Sequence, residues 1–294
     1  MAATTIGIVN QKGGVGKTTT AINLATCLAE RRKRVLIVDL DPQGNATSGF
    51  GLRKTPGVSL YPALVAEQPA AEAIRPTGIP NLDLLPSEID LAGAELELAR
   101  RDGFIRRVRE CLRPVVADDR YDYVFLDCSP TLGMLTMNVL AAADAVLLPI
   151  QCEYYALEGL AVIARVIRQL RENGTNPGLE IEGIVMTMYD GRTNLAREVV
   201  QEVVKHYGAK VYETLIPRNV RVAEAPSFGK PAVLHDRLCT GSVAYRQLAR
   251  EFLQRRQPAE ADGDRPSLGS VIRRVFDEQP EAEAAIAAAG GEHR

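Results

Sequence analysis

The chain has 294 residues, of which 46% are hydrophobic and 24% are charged, and its formal net charge is −2. This composition is typical of a globular protein with a sizeable core, and the near-neutral total charge indicates no particular partner. None of the five cysteines has a metal-ligand spacing. The sequence has no signal-peptide pattern and no apolar window long enough to span a bilayer, so we expect a cytoplasmic protein.

Short β-like runs alternate with longer helical runs along most of the chain. The predicted strands are Thr5–Asn10, Val35–Asp39, Asn81–Leu85, Tyr123–Asp127, Ala145–Ile150, Ile181–Met188 and Val211–Ile216. The predicted helices are Thr18–Glu30, Ile89–Arg101, Phe104–Val116, Leu132–Ala143, Leu157–Glu172, Asn194–Tyr207 and Gly241–Arg256. Continuous runs of Val, Ile and Leu are typical of strands buried on both faces. The alternation predicts an α/β fold with a doubly wound, mainly parallel sheet flanked by helices.

The composition changes near Gln257, where a polar stretch rich in Pro, Gly and Asp begins. We therefore predict one globular domain at residues 1–256 and a disordered tail at residues 257–294. Within the tail, Ser270–Phe276 is a short apolar and basic patch, and acidic residues follow it directly.

The strongest motif lies between the first predicted strand and the first predicted helix. It reads K-G-G-V-G-K-T over residues 12–18, a glycine-rich turn in which Lys12 occupies the usual first-glycine position. Glycines allow backbone N–H groups to approach phosphates, and the helix N-terminus adds partial positive charge. Lys17 suits the β- and γ-phosphates, and the Thr18 hydroxyl suits Mg²⁺. The motif predicts a site for ATP and Mg²⁺, with these nucleotide-binding residues: Gly13, Gly14, Val15, Gly16, Lys17, Thr18 and Thr19.

Two further motifs place carboxylates at the ends of apolar strands. Asp39 and Asp41 lie in V-D-L-D-P-Q-G-N, and Asp127 ends the strand Y-D-Y-V-F-L-D. Ligands of doubly wound sheets bind at the carboxyl ends of the strands, so these groups are expected to face the nucleotide. The Asp127 pattern is that of a Walker B aspartate, which holds Mg²⁺. We expect Asp39 to support the metal as well.

These motifs together resemble those of the ParA/Soj family of partitioning ATPases, within the ParA/MinD superfamily of P-loop ATPases with a deviant Walker A loop. The resemblance extends over about residues 4–253 and includes the stretches at Gln151–Gly159 and Ile216–Pro231. It implies that Lys12 reaches across a homodimer interface to the partner's ATP, and that Asp41 positions or activates the attacking water. With Lys17, these residues form the predicted catalytic set.

The resemblance also assigns residues outside the phosphate-binding loop. It places Glu153 near the dimer interface and the nucleotide, and it places Pro217, Arg218 and Asn219 beside the adenine. Many relatives carry asparagine where this chain has Met188, so the base contacts stay open. The chain lacks the N-terminal helix-turn-helix extension of the longer plasmid type, which makes operator binding unexpected.

A basic region near the end of the predicted domain is a candidate DNA surface. Residues 205–256 contain ten Lys or Arg and four Asp or Glu, a local net charge of +6. Such a surface suits the phosphate backbone of double-stranded DNA, and no base-reading element accompanies it, so we expect nonspecific binding. Dimerisation would double the number of contacts. The candidate contact residues are Arg218, Arg221, Arg237 and Arg246.

The expected function is therefore slow, partner-stimulated ATP hydrolysis by a switch that dimerises on ATP, binds nucleoid DNA and acts with a ParB/Spo0J-type centromere-binding protein. One alternative is a MinD-like membrane-associated ATPase, but the acids after Phe276 oppose anionic lipid and no membrane binding is expected. A second is a ParA-like ATPase that positions another cargo. A third, an iron–sulfur electron carrier, would need cluster-ligating cysteines, which the sequence does not display.

Overall fold

The computed structural model describes residues 2–66, 68–99 and 103–257. Residues 258–294, which make up nearly all of the predicted tail, lie outside the described residues, as does Arg101 at the end of one predicted helix. Among the helices of the described ranges, none combines the length and the apolar character needed to cross a membrane.

A seven-stranded sheet forms the centre of the molecule, in the order β3-β4-β2-β5-β1-β6-β7. The strands are β1 Thr4–Ile8, β2 Val35–Leu40, β3 Arg75–Pro76, β4 Leu82–Leu85, β5 Tyr123–Cys128, β6 Ala145–Gln151 and β7 Glu180–Thr187. Every neighbouring pair is parallel except β3 and β4. The predicted doubly wound, mainly parallel sheet is confirmed.

The strand register brings the polar strand ends to one edge of the sheet. Asp127 on β5 lies opposite Ile8 on β1 and also opposite Asp39 on β2. Most of the preceding residues of these strands are apolar and buried, because helices cover both faces of the sheet. The carboxylates therefore collect at the carboxyl edge, next to the loop that follows β1.

Helices form a layer on each face of the sheet. They are α1 Lys17–Glu30, α2 Asn45–Gly49, α3 Tyr61–Val65, α4 Leu91–Leu98, α5 Arg107–Ala117, α6 Met134–Ala142, α7 Ala156–Glu172, α8 Asn194–Tyr207, α9 Val220–Glu224, α10 Ala232–His235 and α11 Thr240–Arg255. On one face α1 packs with α11, and Leu24 and Phe252 bury in the same core as Phe125. On the other face α5 to α8 pack, with Val139 and Ile163 in the second core.

Two parts of the predicted element list are wrong. Val211–Ile216 does not form a strand; it follows the edge of β7 through isolated bridges at Val211 and Pro217. Its apolar side chains bury against the cores although only part of its backbone pairs, and a pattern of buried residues cannot distinguish these cases. The two-residue strand β3 was not predicted, because its sequence, Arg75–Pro76, has no strand pattern.

Candidate functional site

The loop between β1 and α1 has the backbone shape that a phosphate requires. Gly14 and Gly16 have φ values of +76° and +84°, in the left-handed region that favours glycine. Gly16 is also the N-cap of α1, and no side chain caps the helix there. The first backbone N–H groups of this 14-residue helix are therefore available to an anion at its positive end.

The two lysines of this loop have different environments. Lys17 is only 6% exposed, and its Nζ donates to the Lys12 carbonyl at 3.1 Å. Burial lowers the pKa of Lys17, while the thiol of Cys128 and the nearby carboxyls of Asp127 and Asp41 raise it. Lys17 thus places a buried cation inside the glycine-rich loop.

The Lys12 side chain lies at the rim of the site. Its exposed fraction is 47%, and its ammonium forms an ion pair with Glu153, whose side chain is 45% exposed. Glu153 follows β6, so the pair joins the phosphate-binding loop to the end of a neighbouring strand. The structure brings together two residues that the sequence separates by 141 positions.

Asp39 is buried, and both of its carboxylate oxygens accept hydrogen bonds from the chain. Oδ2 accepts from the backbone N of Thr47 at 2.8 Å and from its hydroxyl at 2.7 Å, and Oδ1 accepts from the backbone N of Asp41 at 3.3 Å. Burial raises the pKa of Asp39 to about 6, and these hydrogen bonds oppose the rise. These hydrogen bonds hold the loop after β2, and the prediction that Asp39 also supports the metal stays a prediction.

Asp41 begins that loop and is 6% exposed. Its Oδ1 accepts from the backbone N of Gln43 at 2.9 Å, and its carbonyl accepts from the backbone N of Gly44 at 2.8 Å. The loop is thus a tight turn that leads into α2. It presents Asp41 at the carboxyl edge, near Lys17, whose pKa its charge raises.

Asp127 is the buried carboxylate near the end of β5. It is fully buried, and within the described chain neither carboxylate oxygen has a hydrogen-bond partner. Burial and the charges of Asp39 and Asp41 raise its pKa well above the usual range. The Thr18 hydroxyl and Lys17 lower this pKa, although Thr18 forms no hydrogen bond of ordinary geometry with the carboxylate.

This arrangement fits Mg²⁺. A buried carboxylate without a partner is costly unless a cation compensates its charge. The described residues contain no cluster of three or more His, Cys, Asp or Glu that would hold a metal by themselves. Mg²⁺ commonly takes one or two protein oxygens and completes its shell with phosphate and water. Asp127 and Thr18 are the residues that would supply such a partial shell.

The predicted adenine-flanking residues lie at the end of β7. Pro217 bridges to Tyr189, and the backbone N of Arg218 donates to the Tyr189 carbonyl at 3.0 Å. The Asn219 side chain caps α9 and also donates to the Thr240 hydroxyl at 2.9 Å, so its polar atoms serve the local fold. The segment Pro217–Asn219 thus joins the chain just after β7 to the start of α9.

Three of the four predicted DNA-contacting arginines are exposed and one is not. Arg218 is exposed, and the side chains of Arg221 and Arg237 are 59% and 67% exposed. The Arg246 side chain is 19% exposed. Its guanidinium donates to the carbonyls of Val233 at 2.8 Å and Arg237 at 3.1 Å and pairs with Glu30 at 3.3 Å. The prediction for Arg246 is therefore corrected: this arginine ties α11 to α1 and α10.

Three polar side chains near the site were not predicted. Thr47 and Ser87 contact Asp39 and the backbone of Asp41, and the Thr187 hydroxyl donates to the Val15 carbonyl at 2.9 Å. Thr187 ends β7 and Ser87 follows β4 by two residues. Their position just at or after the carboxyl ends of apolar strands is the signal that could have identified them.

Comparisons with known proteins extend well beyond the phosphate-binding loop. A family model described as an AAA domain matches residues 3–181. Chromosome partitioning protein ParA of Caulobacter vibrioides is 49% identical over 257 residues, which cover 87% of this chain and 96% of the relative. Chromosome-partitioning ATPase Soj of Thermus thermophilus is 52% identical over 254 residues, with 86% and 97% covered.

Solved structures give the same picture of the fold. The crystal structure of cobyrinic acid a,c-diamide synthase from Mycobacterium smegmatis, with bound ATP analog and magnesium, has a TM-score of 0.74. It is 36% identical in sequence and covers 86% of this chain and 95% of its own.

Proposed function

The chain belongs to the ParA/Soj family of chromosome-partitioning ATPases, and from this premise we propose that it is an ATP-dependent dimerising switch that binds duplex DNA nonspecifically. In this proposal it drives chromosome or plasmid partitioning on the nucleoid, with a ParB-type partner that stimulates hydrolysis. The observation that carries the proposal is the different placement of the two loop lysines. Lys17 is buried beside the phosphate position, whereas the Lys12 side chain is 47% exposed at the rim.

The nucleotide binds at the carboxyl edge of the sheet. The N–H groups of the Gly13–Thr19 turn surround the phosphates, and Lys17 pairs with their β and γ oxygens. Thr18 and Asp127 would hold Mg²⁺, and the ion would supply positive charge to the phosphate oxygens. This role supplies the Asp127 carboxylate with the partner that it lacks within the described chain.

Hydrolysis needs a water molecule in line with the γ-phosphate. Asp41 lies at the strand end where such a water would approach, and its side chain carries the proposed orienting oxygen. Positioning and charge stabilisation account for most of the catalysis in phosphoryl transfer, so Lys17, the metal shell and Asp41 are sufficient.

The proposed dimerisation depends on the side chain of Lys12. Its ion pair with Glu153 is exposed on both sides, and exposed pairs contribute on the order of 1 kcal/mol or less to stability. Lys12 can therefore exchange Glu153 for the triphosphate bound to a second protomer at a small cost in free energy. Each protomer then contributes one lysine to the other's nucleotide, and ATP serves as the joining element.

The DNA surface consists of Arg218, Arg221 and Arg237, with Arg246 left out. Arg221 pairs with Glu224 at 2.7 Å and lies 3.6 Å from Asp236, but its exposure allows exchange for a phosphate. A single protomer offers few contacts. A dimer doubles them, and affinity rises steeply with the number of neutralised phosphates.

The test is an electrophoretic mobility assay of the full chain on two unrelated DNA duplexes, with Mg-ATP, Mg-ADP or no nucleotide. We expect ATP-dependent retardation, equal for both duplexes and weakened by salt. Pelleting with anionic liposomes runs alongside. Equal binding in all three nucleotide states would contradict the switch, and ATP-dependent pelleting without DNA binding would favour a membrane-associated function instead.

A further inference from the structure

A buried polar network surrounds the loop that carries Asp41. Its members are Asp39 on β2, Thr47 on α2 and Ser87 after β4, each 0% exposed. The site described above does not need these hydroxyls for contact with a nucleotide or a metal. Each of them is nevertheless hydrogen-bonded in one continuous arrangement that ends at the backbone of Asp41.

Backbone N–H groups and hydroxyls donate the hydrogen bonds that connect this network to Asp41. The Ser87 backbone N donates to the Thr47 hydroxyl at 3.0 Å, and that hydroxyl donates to Asp39 Oδ2 at 2.7 Å. The Ser87 hydroxyl donates to the Asp41 carbonyl at 2.5 Å. Asp39 Oδ1 accepts from the Asp41 backbone N at 3.3 Å. Both backbone polar groups of Asp41 are therefore held by buried side chains on either side.

We propose that Thr47 and Ser87 are positioning residues for ATP hydrolysis. Thr47 fixes the backbone N–H of Asp41 through Asp39, Ser87 fixes its carbonyl directly, and together they aim the Asp41 carboxylate. The inference rests on the proposed role of Asp41 in orienting water. A displacement of about 1 Å at a group that orients a reactant costs up to about 100-fold in rate. A loop at a strand end needs such support because its backbone has no sheet partners.

The segment that carries Ser87 is also held in place by hydrogen bonds. Glu88, the next residue, is 3% exposed and accepts from the Ser59 hydroxyl at 2.5 Å and from the Gly57 backbone N at 2.9 Å. The parallel pairing of β4 with β2 places this segment beside the Asp41 loop. The strand order thus brings a hydroxyl 46 residues away in sequence onto the Asp41 carbonyl.

The experiment compares full-chain variants by steady-state ATP hydrolysis and thermal unfolding. Thr47→Val removes the hydroxyl but keeps the shape, and we expect kcat to fall about tenfold while KM for ATP stays within about twofold. Ser87→Ala should act in the same direction. Thr47→Ser retains the hydroxyl and should restore kcat to within about threefold of the parent.

A matched control separates positioning from general destabilisation. Thr26 on α1 is also 0% exposed, and its hydroxyl donates to the Ile22 carbonyl at 2.8 Å. Thr26→Val makes the same chemical change away from the Asp41 loop and should leave kcat unchanged. Equal losses of kcat in Thr26→Val and Thr47→Val would overturn the inference, and so would equal losses in Thr47→Ser and Thr47→Val.

Asp41→Ala, measured in parallel, distinguishes the two ways of failing. If Asp41→Ala loses turnover while Thr47→Val keeps both kcat and KM, the positioning inference is wrong and the proposed function stands. If Asp41→Ala hydrolyses ATP at the parent rate, the role of Asp41 is wrong, and the inference fails with it.

Discussion

At the scale of single residues, the arginines of the basic region differ in what holds their guanidinium groups. Arg246→Ala should destabilise the fold by about 2 kcal/mol, because it removes the donor to the Val233 and Arg237 carbonyls and one of the two arginines beside Glu30. Arg218→Ala removes an exposed side chain and should change the free energy of unfolding by less than about 0.5 kcal/mol. Urea unfolding of both variants measures this difference.

DNA affinity should depend on Arg218 more than on Arg246, the reverse of their order for stability. Arg218→Ala should weaken ATP-dependent binding, and the slope of log affinity against log salt should become shallower by about one for each phosphate that the variant no longer neutralises. A conservative Arg246→Lys variant, assayed at a temperature where it is folded, should bind nearly as well as the parent. Normal DNA affinity and salt slope for Arg218→Ala would remove Arg218 from the proposed surface.

The cysteines give a prediction about reactivity. Burial raises the pKa of the Cys27, Cys128 and Cys152 thiols to about 12 each, and all three are less than 9% exposed. The thiolate is the reactive form, so these groups should resist a maleimide at about pH 8. Only Cys111 and Cys239, which are partly exposed, should label in the native protein, and all five should label in denaturant.

Peptide mapping by mass spectrometry identifies the labelled positions. Rapid modification of Cys27 in the native protein would contradict the burial of the interface between α1 and α11.

The sequence identified the residues whose motif is local, but it did not show which distant residues contact one another. The turn at residues 12–18 has its full pattern in seven consecutive positions, so Lys12, Lys17 and Thr18 were found. The Lys12 pair with Glu153 and the Ser87 bond to Asp41 span 141 and 46 residues. No single-sequence pattern encodes such distances. The Thr47 bonds to Asp39 depend instead on how the loop after β2 folds, which was also not foreseen.

At the scale of elements, the segment after α2 packs against the segment after α9 through two glycines. Gly51 and Gly229 have φ values of +70° and +61°, and a Cβ added at Gly229 would lie 2.7 Å from the Gly51 Cα. This contact joins the region that follows the Asp41 loop to the region that carries Arg221. A side chain at either position would have to displace backbone.

Gly229→Ala should therefore destabilise the fold by about 2–4 kcal/mol, from the left-handed backbone and the overlap together. Gly78 is the matched control, because its φ is +80° and nothing lies within 4 Å of an added Cβ. Gly78→Ala should cost only about 1 kcal/mol. Equal losses in thermal unfolding would show that the close contact contributes nothing beyond the backbone conformation.

Strands were predicted well where apolar runs are buried, and poorly for the two-residue strand β3 and for the segment beyond β7. β1, β2, β5 and β6 are buried and were found within two residues at each end. The edge is different, since Val211–Ile216 is apolar for packing while its backbone bonds to β7 only at intervals. Hydrophobic pattern reports burial rather than backbone pairing, which explains both outcomes.

At the scale of the whole molecule, the carboxyl edge and the basic surface are linked through α1. This helix begins at Lys17 in the phosphate-binding loop and ends at Glu30, which pairs with Arg246 and lies 3.5 Å from Arg237. Midway, the Asn23 side chain accepts from the buried Val233 backbone N at 3.1 Å. One rigid helix thus contacts both functional regions of the proposed switch.

The ATP-dependent dimer is tested by measuring the molar mass of the hydrolysis-blocked Asp41→Ala protein with light scattering. With Mg-ATP we expect about twice the chain mass of 32.0 kDa, and with Mg-ADP we expect the monomer mass. Adding Lys12→Ala should return the ATP-loaded protein to a monomer while ATP binding persists. A monomer with ATP fully bound, at the highest soluble concentration of Asp41→Ala, would contradict the proposed switch.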